Sequence, residues 1–160
     1  MNCAEVSDGS IEIDHDKKCE YINILAKNYT VLSEVGSKDA EAVIAAEDWI
    51  KMMNKELEAG SWKVIAEARE SGTVGIYDNK GNADTRLINK ILGKVNRDNI
   101  LWEAPLKPQQ VWFIKLLGPN VNLGNISSDD LIPLETLRLG LRGDTFFNFL
   151  PKELQESSEV

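Results

Sequence analysis

Four short strings in the chain share one form, in which an apolar stretch leads to a glutamate that is followed by valine or alanine. They are CAEV at 3–6, LSEV at 32–35, IAEA at 65–68 and LWEA at 101–104. Successive glutamates lie 29, 33 and 36 residues apart, which is about the length of one strand–helix unit. The strings therefore predict a series of β-strands, each with a carboxylate near its C-terminal end.

Helical patterns separate the strand-like runs over most of the chain. The runs rich in β-branched residues are 3–6, 29–35, 62–68, 100–104 and 120–123. The helical patterns lie near 16–28, 39–59, 84–95, 108–117 and 129–141. This alternation is typical of an α/β fold with a parallel sheet. We predict one sheet of five parallel strands in sequence order, curved like part of a barrel, with the helices on its outer face.

Length and charge exclude several classes of protein. The chain has 160 residues and a net charge of −8, and no apolar run approaches the ~20 residues of a membrane helix. An acidic chain has no general attraction for nucleic acid or for anionic membranes. The N-terminus has no apolar signal segment, and its two cysteines lack metal or redox spacing, so we expect a cytoplasmic protein. We assign residues 1–150 to one domain and 151–160 to a polar tail.

A glutamate in a buried parallel strand is costly unless it is paired or binds a metal. The C-terminal ends of parallel strands meet at one edge of the sheet, where ligands bind in α/β folds. We therefore predict that Glu34, Glu67 and Glu103 lie together at this edge, where they are either paired or bound to a metal. Alternation along each strand then turns the next residues toward the helices, namely Val35, Ala68 and Ala104. The alternative, favoured for Glu5, is a glutamate that points outward to cap a helix or pair with a lysine.

The loops that follow these strands hold candidate anion-binding groups. Lys38 comes just after a glycine turn that follows Glu34, and Arg69 opens a loop rich in serine and glycine. The last loop, NLGNISSDD at 122–130, leads into a helix, so its backbone N–H groups suit a phosphate.

Five longer strings occur in a fixed order: VLSEVGSKDA, VIAEARESG, WEAPLKPQQVWFI, GPNVNLGNI and LETLRLGLRGDTF. Together they resemble the phosphosulfolactate synthase family, over residues 3–147. Family members are (β/α)8 TIM barrels that use Mg²⁺ to add sulfite to phosphoenolpyruvate. The product, 2-phospho-3-sulfolactate, leads to coenzyme M or to sulfolactate. Since a full barrel needs about 250 residues, the resemblance implies a partial barrel, and the five units resemble the last five of the family's eight.

The resemblance also implies a role for each candidate residue. Glu34, Glu67 and Glu103 would hold Mg²⁺. Lys38 resembles the family's proposed catalytic acid, and Arg69 would hold sulfite or the substrate carboxylate. A phosphate cradle would comprise Asn122, Gly124 and Asn125, with Arg142 as a helper. The alternatives are a surface lysine that caps the next helix for Lys38, and an ion pair with Asp144 or Glu135 for Arg142.

The expected partners follow from this chemistry. They are phosphoenolpyruvate and sulfite, with no nucleic acid and no membrane. The first and last strands would be open edges, and the inner face, with Leu32, Ile65 and Leu101, would lack opposing strands. We therefore expect the chain to pair with a partner or with itself as a homo-oligomer. Two other functions stay open: a non-catalytic relative that acts in interactions or stress, and a barrel lyase acting on another enolate.

Overall fold

The structure of the chain, a computed structural model, describes residues 2–8, 11, 13–37 and 44–155. The strands are β1 (Cys3–Val6), β2 (Thr30–Val35), β3 (Lys63–Ala66), β4 (Ile100–Glu103) and β5 (Leu123–Gly124). The helices are α1 (His15–Ala26), α2 (Ala46–Ala59), α3 (Thr85–Leu92), α4 (Lys107–Leu117), α5 (Leu131–Arg138) and α6 (Lys152–Gln155). None of the described helices is long and apolar enough to cross a membrane.

The five strands form one sheet in the order β1-β2-β3-β4-β5, and every neighbouring pair is parallel. A helix separates each strand from the next, which is the architecture of a partial (β/α)8 barrel. The sequence-based prediction of the α/β class, the strand order and the parallel pairing is confirmed.

One face of the sheet packs against the helices and forms the main core. The buried strand residues on this face include Val35, Val64, Ala66, Ile100 and Trp102. The helices contribute buried residues to the same cluster, among them Trp49 and Met53 of α2, Ile88 and Ile91 of α3, Phe113 of α4 and Leu137 of α5. Trp102 stacks on Phe113 with ring centroids 5.0 Å apart. Val35, Ala68 and Ala104 belong to this core, as the alternation along the strands predicts.

The opposite face carries the side chains that alternate with the core residues. Ile65 is buried but lies outside the helix-facing cluster, and Leu32 and Leu101 are half-buried. The register pairs Glu34 with Ile65, and Ile65 with Leu101. Because neighbours in register share a face of a parallel sheet, the glutamates share this face with these apolar residues.

Two helix boundaries differ from the sequence-based prediction. The second helix begins at Ala46 rather than near 39, because Ala45 is extended and Ile44 packs on the core; residues 38–43 lie outside the described part. The fifth helix covers Leu131–Arg138 rather than 129–141, since a short 3-10 turn precedes it and Gly140 at φ 68° follows it. The tail contains the four-residue helix α6 before residue 156.

We predict that the purified 160-residue chain associates with itself. Within the described residues β1 and β5 each pair with one strand, so backbone N–H and C=O groups line two open edges. Large apolar side chains are also exposed on α5 and just after it, including Ile132 (79% exposed) and Leu141 (69%). Size-exclusion chromatography with light scattering, repeated over a dilution series, should give a mass above that of the monomer. A sharp monomer peak at every concentration, with cooperative unfolding, would contradict this prediction.

Candidate active site at the carboxyl edge of the sheet

Three glutamates meet at the C-terminal ends of β2, β3 and β4. One carboxylate oxygen of each of Glu34, Glu67 and Glu103 lies within 4.8 Å of the other two. Glu34 and Glu67 are buried and Glu103 is half-buried. They line a cleft of about 580 Å³ together with Glu5, Ala68, Arg69, Glu70, Ser71 and Asn125. The predicted convergence of the three carboxylates is therefore present in the structure.

Hydrogen bonds from neighbouring elements orient two of these carboxylates. The Ser7 hydroxyl, just after β1, donates to Glu34 Oε1 at 2.6 Å. The backbone N–H of Ala68 donates to Glu103 Oε2 at 2.7 Å, and Asn125 Nδ2 lies 3.5 Å from the same oxygen. Each donor comes from a strand end or loop next to its acceptor, so these neighbouring segments hold the two carboxylates in place.

Tyr77 forms a hydrogen bond with the backbone of Glu103. Its hydroxyl donates to the Glu103 carbonyl oxygen at 2.6 Å. Burial, and to a smaller extent the charge of Glu103, raises the pKa of Tyr77 far above its ordinary value. The phenol therefore stays protonated and acts as a hydrogen-bond donor to the strand end rather than as an acid or base.

Two glycines allow the backbone to close around Glu67. Gly36 has φ 141°, and a Cβ there would overlap the Glu67 side chain and crowd Trp49. Gly75 has φ 77°, and a Cβ there would overlap the carbonyl oxygen of Glu67. Positive φ and close approach both require glycine at these positions. The turns after β2 and β3 can therefore pack directly on Glu67, the residue that follows β3.

Arg69 and the loop that carries it lie at the rim of the cleft. The side chain of Arg69 is exposed and lines the cleft next to Glu70 and Ser71. The loop is anchored by Gln109 of α4, which is 2% exposed. Its Nε2 donates to the carbonyls of Gly72 at 2.8 Å and Gly81 at 3.1 Å, while its Oε1 accepts from the N–H of Leu106 at 3.0 Å.

The charges of the cleft favour a cation among the glutamates. Five glutamates and one arginine are among its lining residues. Carboxylates this close repel one another unless protons or positive charge intervene. A site built from carboxylate oxygens suits a hard divalent cation such as Mg²⁺, which binds few protein carboxylates and keeps several waters. The donor set therefore fits Mg²⁺, with Glu34, Glu67 and Glu103 as the residues that would hold it.

The structure brings together only part of the predicted phosphate cradle. Asn125 lines the cleft at φ 54° and donates from Nδ2 to the Ala68 carbonyl at 3.0 Å. Gly124 pairs in register with Glu103, and a Cβ there would overlap Leu101. Lys38 lies outside the described residues.

Asn122 and Arg142 are placed away from the carboxylates, contrary to expectation. Asn122 donates to the carbonyl of Ile100 at 3.1 Å, at the beginning of β4 and hence at the opposite edge of the sheet. Arg142 is exposed and donates from Nε to Thr136 Oγ1 at 2.9 Å. Among the residues that the structure describes, Arg142 forms no ion pair with Asp144 or Glu135, and Asp144 pairs with Lys107 at 2.7 Å.

Sequence reasoning missed several residues that build the site. Glu5 was expected to point outward, yet it lines the cleft beside Glu34. Ser7 and Gln109 also build the site, because Ser7 donates to Glu34 and Gln109 donates to the carbonyl of Gly72 in the loop after Arg69. The signal that could have identified Ser7 is its place two residues after Glu5, on the same face of an extended chain.

The comparison with known families is decisive. The sequence model of the (2R)-phospho-3-sulfolactate synthase (ComA) family matches residues 1–144. The chain belongs to this family.

Phosphosulfolactate synthases from three organisms are similar to the chain. That of Methanothermobacter thermautotrophicus is 45% identical over 145 residues, which cover 88% of this chain and 56% of that protein. That of Bacillus subtilis is 45% identical over 146 residues, with 89% and 58% covered. That of Methanocaldococcus jannaschii is 42% identical over 150 residues, with 91% and 60% covered. The chain thus spans less than two thirds of the length of these phosphosulfolactate synthases, and which of the family's units it holds stays a prediction.

We predict that Gln109→Glu destabilises the chain and loosens the loop of this phosphosulfolactate synthase family member. The substitution keeps the side-chain shape but removes the N–H donors to Gly72 and Gly81. Buried carbonyls would then face a carboxylate, which should lower the free energy of unfolding by about 2 kcal/mol or more. Urea denaturation measures this loss. The control Asn89→Asp adds the same charge at an exposed helix position, and equal stability of the two variants would contradict the anchoring role.

Proposed function

We propose that the chain acts as a phosphosulfolactate synthase, a carbon–sulfur lyase that uses Mg²⁺ and adds sulfite to phosphoenolpyruvate to give 2-phospho-3-sulfolactate. One observation carries the proposal: three strand-end carboxylates converge within 4.8 Å in a member of this family. Both substrates are anions, and an acidic cleft binds anions only where positive charge is supplied. When bound, Mg²⁺ would supply that charge and stabilise the negative charge that develops on the substrate carboxylate.

Besides the metal, Arg69 is the side chain that we propose to bind an anionic substrate. A guanidinium offers parallel N–H donors that match the oxygens of sulfite or of a carboxylate. Its exposed position on the rim, beside Glu70 and Ser71, leaves it accessible to a substrate that enters the cleft. Arg69 would thereby orient one anion while the glutamates hold the metal.

Asn125 and Gly124 form the part of the phosphate cradle that we retain in the proposal. Asn125 stands in the cleft, bonded to the Ala68 carbonyl on one side and near Glu103 on the other. Gly124 pairs in register with Glu103, and only its backbone can border this corner, because Leu101 fills the space that a Cβ would take. The phosphate would lie against this corner and would be held but not transferred.

The direct test is an assay for sulfite-dependent loss of phosphoenolpyruvate, with the product identified by mass spectrometry. Turnover that requires both sulfite and Mg²⁺ supports the synthase. Turnover of another enolate, in a substrate screen from which sulfite is withheld, would support a different barrel lyase. Metal binding without any turnover would support the non-catalytic relative.

We predict that Glu67→Gln weakens Mg²⁺ binding at least about tenfold, the scale seen when metal sites lose a polar partner. The same change should stabilise the metal-free chain, because it removes one of three mutually repelling charges. Calorimetric titration and thermal unfolding with and without Mg²⁺ measure the two effects. Glu70→Gln is the control, since Glu70 is exposed and lines the cleft outside the three-carboxylate cluster. Equal Mg²⁺ affinity in the Glu67→Gln and Glu70→Gln variants would contradict the proposal that Glu67 binds the metal.

We predict that Lys38→Ala lowers turnover at least about 100-fold while Mg²⁺ binding stays nearly unchanged. We propose that Lys38 protonates the carbon next to the carboxylate, and loss of a positioned general acid typically costs this much. The sulfite-dependent assay measures turnover, and calorimetry measures the metal. The exposed lysine Lys80 provides the control variant Lys80→Ala. Near wild-type turnover of the Lys38→Ala variant would contradict the role of Lys38 as the general acid and would favour the alternative of a surface lysine.

A further inference from the structure

A buried lysine lies next to the carboxylate cleft, and the proposed chemistry does not use it. Lys18 belongs to α1, and its side chain is 3% exposed. Its ammonium Nζ reaches three different segments of the chain. It contacts Asp8 Oδ1 at 3.0 Å, Glu56 Oε1 at 3.0 Å and the backbone carbonyl oxygen of Glu34.

Two of these three contacts fix the surroundings of one glutamate. Glu34 lies at the C-terminal end of β2, and Lys18 holds its carbonyl. Asp8 follows Ser7, whose hydroxyl donates to Glu34 Oε1 at 2.6 Å. The ammonium therefore connects the backbone that carries the Glu34 carboxylate with the loop that carries its hydrogen-bond donor.

The counter-charge for Lys18 is a buried glutamate of α2. Glu56 is 0% exposed, and its Oε1 contacts both Lys18 Nζ and His15 Nε2, the latter at 3.1 Å. Its Oε2 has no hydrogen-bond partner among the residues that the structure describes. A buried ion pair with incomplete hydrogen bonding is weak support for a fold, because apolar residues of similar size are often as stable or more stable. Stability alone therefore gives no reason for a charge at this place.

We propose that Lys18 is a positioning residue for Glu34. Its ammonium fixes the position of the end of β2 relative to the loop after β1. The Glu34 carboxylate is thereby held close to those of Glu67 and Glu103. This inference rests on the proposed metal site. It predicts that loss of the cation at residue 18 disturbs Glu34 even where the fold is intact.

The decisive variant removes both buried charges. Lys18→Met alone would leave Glu56 as a buried charge whose remaining contact is His15, so it mixes a stability loss with any effect on the site. Lys18→Met combined with Glu56→Leu replaces the pair by apolar side chains and should keep a cooperative fold. Lys17→Met is the matched control, because Lys17 precedes Lys18 on α1 but is exposed and pairs with Glu20.

Two readouts separate positioning from support of the fold. Mn²⁺, followed by electron paramagnetic resonance, serves as the probe of the metal site. Hydrogen–deuterium exchange of peptides that cover 2–8 and 30–37 reports on the two connected segments without any metal. In the double variant we expect Mn²⁺ to bind at least about tenfold more weakly and exchange to accelerate in these peptides, while the Lys17→Met chain behaves like the wild type. Wild-type affinity and exchange in the double variant would overturn the proposal.

The outcomes remain distinct if the metal site itself is wrong. Should the wild-type chain bind no Mn²⁺, the proposed function fails, and the exchange of the two peptides alone decides whether Lys18 positions β2. Should the double variant not fold, Asp8→Asn replaces it, since this change leaves the pair of Lys18 and Glu56 intact. Faster exchange over 2–8 and weaker Mn²⁺ binding would then support the connection, and unchanged values for both would overturn it.

Discussion

Mutual repulsion among three carboxylates is the constraint on which the rest of the site depends. Oxygens of Glu34, Glu67 and Glu103 lie within 4.8 Å of one another, and two of these residues are buried. At such distances like charges oppose each other by an amount that grows as the surroundings become less polar. The carboxylates stay together because each extends from a strand whose position is fixed by the backbone hydrogen bonds of a parallel sheet. The free energy of packing on the helix-facing side thus holds an arrangement that the carboxylates alone would not adopt.

Positive and polar groups around the cleft offset this repulsion from different directions. Ser7 and the backbone of Ala68 donate directly to carboxylate oxygens. Tyr77 and Lys18 act one step further away, through the carbonyls of Glu103 and Glu34. None of these groups cancels the charge that the carboxylates present to the cleft itself. In the proposed metal site, a bound cation would add positive charge from the side of the cleft.

Periodicity identified the parts of the site that depend on strand alternation, and little else. Apolar runs that end in glutamate predicted which face Glu34, Glu67 and Glu103 occupy, because a strand has only two faces. The same reasoning failed for Asn122, since it could not show that β5 has only two residues and that the side chain before it turns to the other edge. It failed for Arg142 because α5 ends at Arg138. The chain after it brings the Arg142 guanidinium back to Thr136 of α5 instead of toward the carboxylates. Contacts between distant segments, such as Gln109 with Gly72, leave no periodic signal in the sequence.

The two faces of the sheet have different roles: one forms the core and the other carries the candidate site. The helix-facing side is an apolar core that includes Trp102 and Phe113, and substitutions there would change stability first. The opposite side holds the acidic cluster together with Leu32, Ile65 and Leu101, so polar chemistry at the strand ends lies directly above an apolar layer. Ile65 and Leu101 lie two residues before Glu67 and Glu103, so strand alternation puts each apolar side chain on the same face as the carboxylate that follows it. Ile65 and Leu101 therefore border the acidic cluster along the strands, although neither lines the cleft itself.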